Sequence, residues 1–231
     1  GSLSIATVEN TEDPVINLNG LAKITEVMDD ITIGQYYKGE NLAGLAKLEK
    51  AGSISMRNNS SLTEFALPNL LSIRGELFIA NPAENNITSI KCPQLTTILK
   101  QCYIQAPNLK SLNLNSLESI PGKGDNSDGD GTFSLYGSQL VSLDLPVLKQ
   151  VGKKFTLSLG TKHPELTQIN LPELISCKEV FIGYADKLET ISLPKLSTLS
   201  SFSITSCAKF SKLNETIAPF NLEKLSVSHC P

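Results

Sequence analysis

Apolar positions fall along this chain in a figure that returns eight times. Its anchor, L-x-x-L-x-x-I, occurs at Leu18/Leu21/Ile24, Leu42/Leu45/Leu48, Leu67/Leu70/Ile73 and Cys92/Leu95/Ile98, and again at Leu114/Leu117/Ile120, Leu145/Leu148/Val151, Leu171/Leu174/Cys177 and Leu193/Leu196/Leu199. Successive first positions lie 24, 25, 25, 22, 31, 26 and 22 residues apart. Self-similarity at a period of roughly 20–50 residues marks a solenoid, and length variation at one point of the repeat becomes loops on one side of it. A short apolar–polar–apolar segment follows each anchor, as in Ile31-Thr32-Ile33, Ile54-Ser55-Met56, Phe155-Thr156-Leu157 and Phe202-Ser203-Ile204. That alternation is the period of a strand with one buried face. A second such segment precedes the next anchor, at Leu62–Phe65, Leu109–Leu112, Leu140–Leu143 and Leu188–Ile191.

No coil carries a long apolar stripe at helical spacing, so the pattern predicts a mainly β chain. About eight coils of 22–31 residues stack parallel strands about 4.8 Å apart around Leu/Ile/Phe ladders. Leu70, Leu95, Leu117, Leu148, Leu174 and Leu196 share one repeat position and are predicted to form a single buried ladder. Residues 1–15 read as a polar, irregular N-terminal segment, and 16–231 as the solenoid domain with its C-terminal cap. A solenoid must cover its open apolar ends, and 1–15 and 205–231 are the expected covers, with a short helix at ETIAPF. The 31-residue coil holds Pro121–Thr132, PGKGDNSDGDGT, which reads as a solvated insertion.

The net charge of -3 argues against a nucleic-acid partner, which requires a basic surface. No apolar run reaches the roughly 20 residues of a membrane helix. Gly1-Ser2 reads as a cloning remnant, so a leader or lipoprotein signal with its membrane anchor is expected to have been removed. Five cysteines cannot all pair internally. Cys92 and Cys177 occupy aliphatic repeat positions and read as buried free thiols, with a disulfide at Cys102 or Cys207 as the alternative.

Candidate chemistry is sparse. Asn126, Asp128, Asp130 and Gly131 match the first half of a calcium loop, but its twelfth position, which needs a bidentate carboxylate, is Gly137. His163 and His229 sit away from any nucleophile pair, and no phosphate-loop, dinucleotide or nucleophile-elbow signature occurs. No cofactor or metal is therefore expected. The sequons at Asn58, Asn59, Asn86 and Asn214 suit a eukaryotic secretory protein, although Asn59 reads more simply as a turn-closing side chain.

The outward strand positions carry the functional signal. Most are small: Thr32, Ser55, Ser134, Thr156 and Ser203. Phe78, Tyr103 and Phe181 are the large exceptions, and Tyr136 falls close to the first two. Clustered outward aromatics mark binding patches, so Phe78, Tyr103, Tyr136 and Phe181 are the candidate partner-binding residues. The alternative is that a chain extension or neighbouring domain covers them. With no Trp and 6% aromatics, a protein contact or self-association is favoured over a glycan groove.

The run Leu45–Asn81 resembles the repeats of receptor L domains, L-x-x-I-x-G-x-L-x-I-x-x-N-x-x-L. Gly52, Ile54, Met56, Asn59 and Leu62 match one copy, and Gly75, Leu77 and Ile79 match most of the next. Fungal GPI-anchored cell-wall proteins carry similar repeats, and the L-P step resembles BspA-like leucine-rich surface proteins of Bacteroidetes. The resemblance spans about residues 16–227. It implies a right-handed parallel β-solenoid, cell-surface or secreted placement, and binding of protein or glycan rather than catalysis. A non-catalytic recognition or adhesion module is thus the leading expectation. A polysaccharide-active β-helix enzyme would need Asp, Lys and Arg converging on one sheet face, where this chain has mostly Ser, Thr and Asn. A passive spacer is the third reading.

Overall fold

The structure is a computed structural model that describes residues 1–5, 14–80, 86–124, 129–160, 165–210, 212–213 and 222–230. It is a parallel β-solenoid of about eight turns. Every strand pairing among the described residues is parallel. The broad side is a 13-stranded main sheet. Ten of its strands stack in chain order: Leu3–Ile5, Glu26–Ile33, Lys50–Arg57, Glu76–Ala80, Gln101–Gln105, Thr132–Tyr136, Gln150–Ser158, Ser176–Gly183, Ser201–Thr205 and Lys224–Ser228.

The anchors turn the chain. In Leu67-Pro68-Asn69-Leu70 the Leu70 N–H donates to the Leu67 carbonyl at 3.2 Å. The same bond recurs at Leu95, Leu148, Leu174 and Leu196. Proline at the second position pre-sets the backbone angle of such a turn, which accounts for the repeated Pro. The first, second and fifth coils lack it yet make the same bond at Leu21, Leu45 and Leu117, and in the first two it falls in 3-10 turns, Asn19–Leu21 and Ala43–Leu45. There Asn17 and Asn41 side chains accept from the Asn19 and Ala43 N–H groups. Glycine follows where coils touch backbone to backbone: a Cβ on Gly52 would lie 2.3 Å from the Asp29 carbonyl oxygen, and one on Gly152 would lie 1.9 Å from that of Pro121.

All six leucines of the expected ladder are buried, none more than 1% exposed. A second row runs through Ile54, Leu77, Cys102, Phe133, Phe155 and Val180, where the Phe133 and Phe155 rings stack at 4.9 Å. The five thiols are free. Burial pushes those of Cys92 and Cys177 up to about 12 and that of Cys207 up to about 11, so they pack as inert small hydrophobes. Lysine–glutamate pairs such as Lys50–Glu26, Lys149–Glu118 and Lys187–Glu165 link neighbouring coils. Exposed pairs contribute little to stability, but these agree with the register.

Three expectations need correction. The N-terminal segment is not wholly irregular, because Leu3–Ile5 adds a strand to the main sheet and Ile5 is buried. At the other end Lys224–Ser228 completes a strand, yet Leu225 and Val227 remain 63% and 58% exposed. The described part of the expected C-terminal cover buries Phe202 and Ile204 and packs Leu222 and Cys230 on the core but leaves Leu225 and Val227 exposed, and ETIAPF lies outside the described residues. The Asp-rich insertion, third, is anchored. Asp130 is buried and its carboxylate accepts from the Lys123 and Gly124 N–H groups, each at 2.7 Å. Asn126 and Asp128 lie outside the described residues.

The lateral strands form two sheets rather than one. Glu64–Ala66, Ser89–Lys91 and Ser111–Asn113 make the first; Ser142–Asp144, Gln168–Asn170, Thr190–Ser192 and Lys212–Leu213 make the second. The break falls within the 31-residue spacing. Leu112 beside it is half-buried, whereas its counterparts Phe65, Ile90, Leu143, Ile169 and Ile191 are buried.

Candidate functional site

Strand alternation places Phe78 and Tyr103 on the outward face of the main sheet. Leu77, Ile79, Cys102 and Ile104 on either side of them point inward and are fully buried. Phe78 and Tyr103 are direct register partners, so their rings stack at 4.6 Å and 10°. Two further side chains reach this pair diagonally from the next outward position. Arg57, one strand earlier, sets its guanidinium 4.0 Å from the Phe78 centroid. Tyr136, one strand later, sets its ring 5.2 Å from Tyr103 and tilted by 36°. The result is a continuous row, Arg57–Phe78–Tyr103–Tyr136, crossing four strands.

Small neighbours make the row possible. Ser55 and Ala80 leave room for Arg57 to lean over Phe78, and Ser134, the register partner of Tyr103, sits two residues before Tyr136. Ser134 is 7% exposed and Thr156 likewise, so these two outward positions, expected in solvent, are covered by larger neighbours. Burial holds the Tyr103 hydroxyl above the ordinary tyrosine value, nearby Tyr136 adds to the rise, and Arg57 opposes it. The Tyr103 hydroxyl donates to Gln105 Oε1 at 3.3 Å.

Three of the four candidate residues come together; Phe181 does not. It shares their outward column but lies three strands beyond Tyr103, about 14 Å away at ordinary strand spacing. Lys154, rather than a ring, lies over it at 5.8 Å. Sequence reasoning also missed Arg57, whose spacing after Ser55 could have flagged it as a diagonal neighbour.

Asn59 is buried, not a glycan acceptor. Its amide donates to the Gly34 and Tyr37 carbonyls and its oxygen accepts from the Ser61 and Leu62 N–H groups. Asn86 is exposed and donates to the Ser60 carbonyl, while Asn214 and His163 lie outside the described residues. Among the described residues no group of three or more His, Cys, Asp or Glu stands where it could hold a metal ion.

Fold and face together define a class: a leucine-rich parallel β-solenoid with an aromatic row on its broad sheet. No protein-family model matches the chain, and no solved structure does. Among curated proteins it is similar to Protein ecm33 of Aspergillus fumigatus, 28% identical over 206 residues covering 89% of this chain and 46% of that protein. The chain thus spans about half the length of the curated relative it matches.

Proposed function

We propose that the chain is a non-catalytic recognition module of a cell-surface or secreted protein, and that the Arg57–Phe78–Tyr103–Tyr136 row docks a protein partner. The observation that carries this is how the rings are spent. Phe78 and Tyr103 cover each other's faces, Arg57 covers the far side of Phe78, and Tyr136 leans on Tyr103. What remains outward is ring edges, a guanidinium and a phenol, which is the composition of a protein-interface centre. A sugar would need an open ring face, and this row offers little of one. Surface placement is supported by the likeness to receptor L-domain and fungal cell-wall repeats and by similarity to a fungal protein.

The test compares the chain with the Phe78→Ser/Tyr103→Ser variant. Sedimentation velocity reads self-association, and adhesion to intact cells, before and after protease treatment of their surface, reads a protein partner. Either signal should fall about tenfold or more, as expected when roughly 1.4 kcal/mol of contact is lost. Equal association and adhesion by variant and parent would overturn the reading.

A further inference from the structure

The last three strands of the main sheet carry a second arrangement, distinct from the aromatic row. Its middle row is Phe181, Ser203 and Ser226, one residue from each strand in direct register. Ser203 and Ser226 thus form a small hydroxyl-bearing floor beside the Phe181 ring, with Ser226 about 10 Å from Phe181 at ordinary strand spacing. The row before it sets Glu179 and Lys224 on either side of Ser201. At the far end Thr205 and Ser228 close the basin by bonding each other at 2.8 Å. The concavity measures about 360 Å³, within the roughly 300–1,000 Å³ of small-molecule sites.

Four of its polar groups are unspent. The hydroxyls of Ser201, Ser203 and Ser226 and the Lys224 ammonium make no hydrogen bond or ion pair with the described residues. Among the described residues the Glu179 carboxylate pairs with Lys154, at 3.6 Å. Phe181, unlike Phe78 and Tyr103, is in no ring stack. Its ring extends along its own strand over Gly183, where a Cβ would lie 3.0 Å from Cζ. The neighbouring floor is only hydroxyl-bearing, so the ring side facing Ser203 is not covered by a bulky group.

The chemistry selects among ligands. One ring is too little apolar area for a protein anchor. Of the two lysines lining the basin Lys154 already pairs with Glu179, a phosphate would meet that carboxylate, and the backbone N–H groups of Ser176–Gly183 and Ser201–Thr205 are held in ladders on both sides. A neutral polyol fits each part: serine hydroxyls both donate and accept, Glu179 accepts, Lys224 donates, and the C–H face of a sugar packs on the ring. We propose that this basin binds a neutral oligosaccharide, whether part of a structural polysaccharide or of a glycoprotein.

The test titrates the chain with laminarihexaose, chitohexaose and a released high-mannose glycan, read by saturation-transfer NMR. The first two stand for structural polysaccharide and the third for glycoprotein. At least one should bind in the millimolar range or tighter. Phe181→Ser and Ser203→Lys should each weaken it by about tenfold or more, the equivalent of one lost contact, with unchanged circular dichroism. Phe181→Tyr should retain it, as should Phe78→Ser/Tyr103→Ser, which separates this site from the aromatic row. No binding of any of the three at tens of millimolar, binding indifferent to Phe181 and Ser203, or loss of binding in the Phe78/Tyr103 variant would each overturn the proposal. So would preference for a heparin tetrasaccharide, which would make the basin an anion site.

Discussion

Replacing Asn59 with Ala should cost more stability than any other polar truncation in the described chain. The side chain is fully buried and holds the turn between two coils by four hydrogen bonds of 2.8–3.1 Å. Each such bond contributes a net ~0.5–1.5 kcal/mol, and a buried group left unpaired costs ~1–3 kcal/mol. The Tyr37 carbonyl and the Leu62 N–H are the two partners in fully buried surroundings. Because these terms overlap, the expected loss is about 3–5 kcal/mol. Asn69 is the control: its amide also spans coils, donating to the Ala46 carbonyl at 2.7 Å, but it is exposed. Asn69→Ala should cost under about 1 kcal/mol, because water replaces the lost partner. Urea unfolding followed by circular dichroism and by tyrosine fluorescence would measure both, with coincident transitions required before a single free energy is assigned. A loss below about 1 kcal/mol for Asn59→Ala would refute the reasoning, since it would mean the four backbone groups find other partners at no cost.

Leu148→Ala removes a fully buried ladder member and should destabilise by about 2–5 kcal/mol in the same assay. Asp130→Ala should cost about 1–3 kcal/mol by stranding the Lys123 and Gly124 N–H groups, whereas deleting only 125–128 and rejoining with glycine should leave the melting temperature nearly unchanged. Alkaline pH should destabilise the fold. Burial raises the Tyr37 and Tyr103 hydroxyls above their ordinary value, so their contribution is complete below the unfolded pKa of about 10 and is lost as pH rises through the folded values. Thermal melts at rising pH, compared with a Tyr103→Phe variant whose loss is smaller, would check this.

Most of the solenoid was legible because its rows repeat one chemical choice per coil. Leu70, Leu95 and Leu148 announce a ladder together where none would alone, and the Pro after Leu67, Leu145, Leu171 and Leu193 marks a turn whose hydrogen bond the structure supplies. The ends were harder. Leu3–Ile5 has no anchor before it, so three residues of alternation could not be told from an irregular arm. Leu225 and Val227 continue the inward column faithfully, and sequence alone cannot say whether anything packs on them. Asp130 was hidden by its neighbours: a carboxylate amid Gly, Ser and Asn looks solvated until the turn brings two N–H groups to it.

The outward face shows where column reading stops and geometry begins. Phe78, Tyr103 and Phe181 occupy one column, and the period alone assigns them to one face. What they do there depends on the coil each belongs to. Phe78 and Tyr103 are in adjacent coils and consume each other's faces, while Phe181 stands three strands further on with Thr156 and Ser203 as register neighbours. Adjacent large rings produce a filled ridge; a lone ring among serines produces a hollow. One column of one sheet therefore carries two surfaces of opposite shape, and the count of coils between aromatics, rather than their number, is what separates them.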